Sequence, residues 1–461
     1  MSGTSLDGID LAMIETDGEE RVVPGPSLTI SYQAGFRERL RSVLGGVGPV
    51  AEVEQELTGL HAAAVKQFLG SHPGTDIDIV GFPGHTILHR PAERRTWQLG
   101  DGALLAQLLR IDVVADFRTA DVVAGGQGAP LAPLFHAAVT AALPKPLAIV
   151  NIGGVANVTW IGEGTEILAF DTGPGNALID DWMRQHTGAG ADIDGTAARA
   201  GHPSAAHVAR FLAASFFERP PPKSLDRDDF REIVPKDLSF EDGAATLTEM
   251  TAAAVAAAAH YFPRPSRRWL VCGGGRCNPV LMEALGRRLG TTVRPVEAVG
   301  WDGDALEAQA FAYLAVRSVR GLPTSLPSTT GVSGPMSGGH LFAAPRSPRK
   351  GDDPPERSRA PYSDRATASR QPDHPRRAIA TIRDLSRTGA PDRSARVRKA
   401  AKGNQGRRRR TPSRYPLATV EAFRFGEPRG AANRWPPDIG PETPVVEGTE
   451  SGRPRSERTA R

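Results

Sequence analysis

Through the first 344 residues, apolar and polar positions alternate between two kinds of stretch. Short runs rich in β-branched and aliphatic residues predict strands over Ile9–Ile14, Leu28–Tyr32, Ile77–Val80, Ile111–Ala115, Leu147–Ile152, Val155–Ile161, Ile167–Phe170 and Trp269–Cys272. The longer stretches between them predict helices over Ala51–Phe68, Ala103–Leu109, Leu131–Ala142, Ala244–Tyr261, Pro279–Leu289 and Asp304–Arg320. Pro263, which lacks an amide donor, ends the Ala-rich helix. Strand and helix patterns alternating over this length predict a layered α/β protein. The pattern also echoes itself: Ser2–Ile14 is a polar, Gly-containing turn followed by an apolar strand, and Asn151–Ile161 repeats the scheme. The echo reads either as two related lobes, each with a phosphate-facing hairpin, or as two unrelated hairpins.

Beyond residue 344 the periodicity stops. Residues 345–461 are dominated by Arg, Pro, Ser, Ala and Gly, with a run at Arg407–Arg410. Such a composition buries too little apolar surface to offset the entropy of ordering, so disorder is expected. Charge divides at the same place. The tail holds 28 basic and 14 acidic residues, net +14, whereas residues 1–344 hold 28 and 38, net −10, which together give the chain's +4. Any polyanion binding therefore belongs to the tail, and there only non-specifically. Without aromatic interleaving or a repeated motif, the tail fits a non-selected extension, such as a frameshift or readthrough product, better than a nucleic-acid module. Two cysteines, Cys272 and Cys277, cannot make a disulfide framework, and no charged-then-apolar leader opens the chain. Both features point to the cytoplasm. The apolar stretches are too short or too broken by Pro to span a bilayer, so no membrane partner is expected.

Several segments carry candidate chemistry. Gly3-Thr4-Ser5-Leu6-Asp7-Gly8-Ile9-Asp10 combines glycines, which let backbone amides approach phosphate, with hydroxyl donors and two carboxylates, Asp7 and Asp10, able to hold Mg²⁺ on phosphates. It is not a GxxxxGK[ST] loop, and taken alone it is also an ordinary turn. Asp171-Thr172-Gly173-Pro174-Gly175-Asn176 follows a predicted strand and precedes the helical stretch Ala177–Met183. There Asp171 reads as a proton acceptor in phosphoryl transfer or as a simple cap. Cys272-Gly273-Gly274-Gly275-Arg276-Cys277-Asn278 lets a nucleotide approach the backbone beside a helix start, and its cysteine pair makes a poor metal site. Asp116-Phe117-Arg118 with Gly125–Pro130, and the loops Gly84-His85-Thr86 and Trp97–Asp101, suit a hydroxylated or acidic small molecule. His85 alone reads as an ordinary histidine and Glu307 as a solvated helix residue.

Taken in order, residues 2–10, 116–130, 151–161, 171–176, 192–195, 272–278 and 304–313 resemble the anhydro-N-acetylmuramic acid kinase family, of the actin/hexokinase/Hsp70 type. The strings MSGTSLDGID, DFRTADVVAGGQGAP, NIGGVANVTWI, FDTGPGN and CGGGRCN carry the resemblance, which covers residues 1–344. It implies two ribonuclease-H-like lobes closing over ATP: residues 1–118 with 305–344 as lobe I, 119–304 as lobe II, and 345–461 as a tail outside the fold. It further implies Gly3–Asp10, Gly153, Gly154, Gly273, Gly274, Gly275 and Asn278 as the ATP site. Asp171 is the implied catalytic base, and Arg118, Thr86 and Glu307 the sugar contacts. Implied too are MgATP, an amino-sugar substrate and a homodimer, in a reaction that turns 1,6-anhydro-N-acetylmuramic acid and water into N-acetylmuramic acid 6-phosphate during peptidoglycan recycling.

Two departures stand out. Met1 stands directly at the first turn, where the family carries an apolar strand, so most of a central strand is expected to be absent and its neighbours' backbone groups unpaired. The family's Ser-His-Gly-Gln-Thr loop is here Phe82-Pro83-Gly84-His85-Thr86. Two other readings stay open on the residues: another small-molecule kinase of the same fold, or a catalytically impaired lobe protein whose basic tail binds polyanions.

Overall fold

The first apolar run folds as β1 (Gly8–Thr16), and its side chains split between two cores: Ile9, Leu11 and Met13 enter one, Ala12 and Ile14 the other. The structure is a computed structural model that describes residues 1–3, 6–227 and 229–345, together with the backbone of residues 376–379. β2 (Val22–Ser31), β3 (Ile79–Phe82), the hairpin of β4 (His85–Arg90) and β5 (Arg95–Leu99), and β6 (Asp112–Ala115) follow. A second series consists of β7 (Leu147–Ile152), β8 (Val155–Ile161), β9 (Ile167–Pro174), β10 (Arg268–Cys272) and β11 (Val293–Pro295). β12 (His340–Phe342) and β13 (Arg376–Ile379) come last. They build a six-stranded sheet ordered β12-β6-β3-β13-β1-β2, a five-stranded sheet ordered β11-β10-β7-β8-β9, and the separate β4–β5 pair.

Both large sheets are covered on both faces, which is why their inner strands read as continuous apolar runs rather than alternating ones. On one side of the six-stranded sheet lies α1 (Val50–Gly70), whose buried Val53, Leu57, His61, Val65 and Phe68 recur at helical spacing. Beside it sits α2 (Gly102–Leu109), capped by Asp101, whose Oδ1 accepts from the Leu104 N–H at 2.9 Å. In the five-stranded sheet, Ala148, Val150 and Ile152 of β7 face α4 (Phe240–Ala258) and α5 (Pro279–Leu289), which are numbered after α3 (Ala177–Thr187). Leu147 and Ile149 point the opposite way, into a core shared with Ile14, Ile79 and Val114 of the other sheet. α6 (Leu306–Val319) runs through that shared core. It lies so close to β3 that a Cβ on Gly81 would stand 2.4 Å from the Phe311 carbonyl oxygen, so only glycine fits there.

Three expectations change. The slot beside β1 is not left open: β13 fills it, antiparallel to β1 from Met13↔Ile379 to Thr16↔Arg376 and parallel to β3. A sheet interior with unpaired amides and carbonyls is costly, and this strand supplies partners. Apart from those four residues, the expectation of disorder in the tail lies outside the described residues. The stretches around Thr86 and Trp97, expected as loops, pair as strands β4 and β5, with a register shift between Thr86 and Leu88. Asp171 does not follow its strand but lies within β9, opposite Asn157.

Candidate active site

The main cleft, about 1350 Å³, is lined by both sheets' turns and by α6. On its first side, Met1 and Asp10 exchange two backbone bonds: the Met1 amino group donates to the Asp10 carbonyl at 2.7 Å, and the Asp10 N–H donates to the Met1 carbonyl at 2.9 Å. Gly3, Asp7 and Asp10 line the cleft, whereas Leu6 and Ile9 bury their side chains in the α1 core and Gly8 packs on the Ile30 carbonyl. Thr4 and Ser5 lie outside the described residues. Asp10 accepts from Thr29 Oγ1 at 2.8 Å, and burial raises its carboxyl above the usual range.

Opposite, Gly153 and Gly154 form the turn between β7 and β8. The N–H groups of Gly175 and Asn176 donate to the Gly154 and Gly153 carbonyls at 2.9 and 2.8 Å, and Asn176 Nδ2 donates to the Ile152 carbonyl at 3.1 Å. A Cβ on Gly175 would sit 2.3 Å from the Gly153 oxygen, so this turn and the end of β9 close on each other without room to spare. At the end of β10, Gly273 has φ +73°, in the region that favours glycine, and lines the cleft with Gly274. Gly275 instead packs against Ile152 and Leu281. Asn278 caps α5, its Oδ1 accepting from the Val280 and Leu281 N–H groups at 3.0 and 3.1 Å.

Asp171 is 5% exposed. Its Oδ2 accepts from the Leu225 N–H at 2.9 Å, and its own N–H donates to the Lys223 carbonyl at 2.9 Å. This carboxylate holds a loop 54 residues away rather than the helix after it, so the capping role is overturned. Burial pushes its pKa up to about 7, against the opposing pull of the Leu225 N–H and of Arg118. Arg118, itself partly buried, donates from Nη1 to the Gly128 carbonyl at 2.7 Å, and its guanidinium lies 5.9 Å from the Phe311 ring centre. It feels the negative charge of Glu307, Asp171 and Asp121. Glu307, in the first turn of α6, is not a solvated helix residue: it lines the cleft, and burial raises its carboxyl against the pull of Arg118. One cation thus stands among carboxylates from three separate segments of the chain. Thr86 Oγ1 accepts from Gln98 Nε2 at 3.3 Å and lines the cleft; His85 is fully buried with Nδ1 on Ser2 Oγ at 3.0 Å.

The chain has relatives among known proteins. The family model described as anhydro-N-acetylmuramic acid kinase matches residues 1–344. The anhydro-N-acetylmuramic acid kinase of Paramagnetospirillum magneticum is 58% identical over 345 residues, 74% of this chain and 97% of that one. That of Rhodospirillum rubrum is 54% identical over 350 residues, 75% of this chain and 93% of that one. The chain belongs to the anhydro-N-acetylmuramic acid kinase family. As a member it is a phosphotransferase with a mixed α/β fold.

Several residues at this family member's cleft escaped the sequence reading. The 223–227 segment that grips Asp171 carries no periodicity to mark it. Asp180, on α3, lines the cleft with its pKa raised to about 7 by burial, opposed by Arg184 and Arg227. Arg276 pairs with Asp304 through Nη1 and Nη2, both at 2.8 Å, and with Glu297 at 2.7 Å. A bidentate pair of this kind fixes orientation as well as charge, and ties the glycine turn to the start of α6. A pair separated by 28 residues leaves no local spacing to find.

Proposed function

We propose that this chain uses ATP and water to convert 1,6-anhydro-N-acetylmuramic acid into N-acetylmuramic acid 6-phosphate, in the cytoplasm. The observation that carries the reading is Asp171: a buried carboxylate at the cleft, one oxygen held by the Leu225 N–H, with a pKa of about 7. A base so tuned is ionised near neutral pH yet basic enough to take a proton in the transition state. In the proposed step, water attacks the anomeric carbon and gives its proton to Asp171. The bond from that carbon to the bridging oxygen breaks, and the freed 6-oxygen takes the γ-phosphoryl group as ADP departs. Arg118 keeps Asp171 from being wholly protonated and offers a cation to the sugar. Glu307 and Thr86 complete the sugar side, and Gly3, Gly153, Gly154, Gly273 and Gly274 let backbone approach the phosphates.

A magnesium ion on those phosphates fits the residues present. Among the described residues no group of three or more metal-ligating side chains gathers, but Asp7 and Asp10 both line the cleft. A nucleotide-borne magnesium ion takes one or two carboxylates and keeps its waters, so Asp7 and Asp10 would hold it. Bound there, it would neutralise charge on the transferring phosphoryl group.

Turnover in ¹⁸O-water tests the reading. The label should appear on the anomeric hydroxyl of the product, with unlabelled phosphate on the 6-oxygen. Phosphorylation only of sugars lacking the anhydro bridge, or label in the phosphate, would overturn it. No helix among the described residues is long and apolar enough to cross a membrane.

A further inference from the structure

One feature of the cleft is not used by the steps above. Ile193 stands on the rim with 70% of its surface exposed, more than any other large apolar side chain among the described residues. A lone exposed apolar residue needs no explanation, but this one is held out by a built loop. Asp192 accepts the N–H groups of Ala197 and Ala198 on its two carboxylate oxygens, at 2.8 and 3.0 Å. Thr196 Oγ1 donates to the Ile193 carbonyl at 2.8 Å. Asp194 and Gly195 follow in left-handed backbone, φ +54° and +65°. Gly195 lies flush on the start of α5: a Cβ there would sit 2.4 Å from Asn278 Oδ1 and 2.6 Å from Val280 Cγ2. The loop is thereby fixed beside the Gly273–Gly274 turn, with Ile193 facing the cleft at that end. Asp171 and Arg118 are held by other segments, the 223–227 stretch and Gly128.

We infer that Ile193 is the apolar shelf on which the base of the bound nucleotide lies. The inference rests on the nucleotide use proposed above and adds a residue that sets affinity for the base rather than for the phosphates. A purine ring offers a flat apolar face and gains by covering a branched side chain already ordered by its loop, because little side-chain freedom is then lost on binding. Polar edges of the base are left to the surrounding carbonyls and water.

Calorimetry on the full chain tests this with two probes, ADP and inorganic tripolyphosphate. Ile193→Asp should weaken ADP about tenfold, the usual effect of removing an apolar contact in a pocket, and leave tripolyphosphate and the sugar's KM at the parent's values. Ile193→Leu should retain ADP, and Ile193→Ala, which adds no charge, should move in the same direction as the Asp variant even if that variant folds poorly. ADP affinity within twofold of the parent in both the Asp and Ala variants overturns the inference. So does an equal loss for tripolyphosphate, or a loss confined to the sugar. Because ADP binding is read without any sugar, these outcomes are separate from failure of the proposed reaction.

Discussion

The two glycine turns that face each other across the cleft are built in different ways. In the five-stranded sheet, Gly153 and Gly154 join two strands that pair without interruption from Leu147↔Ile161 to Ile152↔Ala156, and β10 runs along the other side of β7. That turn is a local hairpin with neighbours on both flanks. In the six-stranded sheet, the turn leads into β1, which pairs with β2 on one side. On the other side its partners are Met1, through two backbone bonds, and β13, which arrives from the far end of the sequence. Closing a long loop costs more chain entropy than closing a short one, by about 0.6 kcal/mol per doubling. The same kind of glycine turn is thus locally specified in one sheet and dependent on distant chain in the other. The first turn should open more readily than the second, since opening free energies differ across a structure with the contacts that hold each part.

The largest expected effect asks whether the chemistry belongs to the locally built, five-stranded side. Asp171→Asn keeps size and one acceptor oxygen but cannot take a proton, so kcat should fall about 10²–10⁴-fold while ADP and sugar still bind by calorimetry. Turnover within about threefold of the parent would remove Asp171 as the base.

Next comes a matched pair. A Cβ would meet carbonyl oxygen at 2.3 Å in Gly175→Ala and at 2.5 Å in Gly8→Ala. Overpacking costs about 1–3 kcal/mol where neighbours cannot give way. Gly175→Ala should therefore lose more melting temperature and raise the KM for ATP further than Gly8→Ala. Equal losses would show that both turns are equally rigid.

A smaller effect is expected from Ala378→Pro, which removes an amide donor from a strand enclosed on both sides. Loss of about 1 kcal/mol should speed amide exchange over Gly8–Thr16 roughly fivefold and leave Leu147–Ile161 unchanged. Uniform change in both sheets, or in neither, would break the comparison.

The smallest shift is in pH dependence. Burial raises Asp171 to about 7 and its ionised form is the base, so kcat/KM should climb with pH up to that region. Arg118 lowers that pKa, so Arg118→Gln should move the acidic limb upward, by up to about one unit. A limb that stays in place would mean Arg118 does not feel Asp171.

Legibility in the sequence followed how locally each element is built. Leu147–Ile152, Val155–Ile161 and Pro279–Leu289 fold over the residues their patterns mark, because each is a local run buried on both faces or capped at its start. The stretches around Thr86 and Trp97 carry no strand pattern in the sequence, since Arg90, Arg94 and Arg95 crowd the tip of the β4–β5 hairpin and its strands pair only with each other. β9 runs four residues past the predicted end at Phe170, since the Asp-Thr-Gly-Pro string looks like a turn until β8 is there to pair with it. The cleft residues on glycine strings and at Asp171 could be named from sequence. Ile193, Asp180 and the Leu225 amide could not, since their placement comes from tertiary packing rather than from spacing.

α6 has a consequence for how this protein can be divided. It buries Phe311, Tyr313 and Leu314 in a core to which both sheets contribute, lies against Gly81 of one sheet, and follows directly on Asp304, which pairs with Arg276 just beyond β10 of the other sheet. The two sheets therefore have one interior between them, and neither carries a sealed apolar surface of its own. A gene split between β6 and β7 would yield fragments that each expose half of that interior, and they should regain solubility only when produced together. Rejoining the chain at exposed loop tips, as in a circular permutant that keeps α6 whole, should instead preserve the molecule.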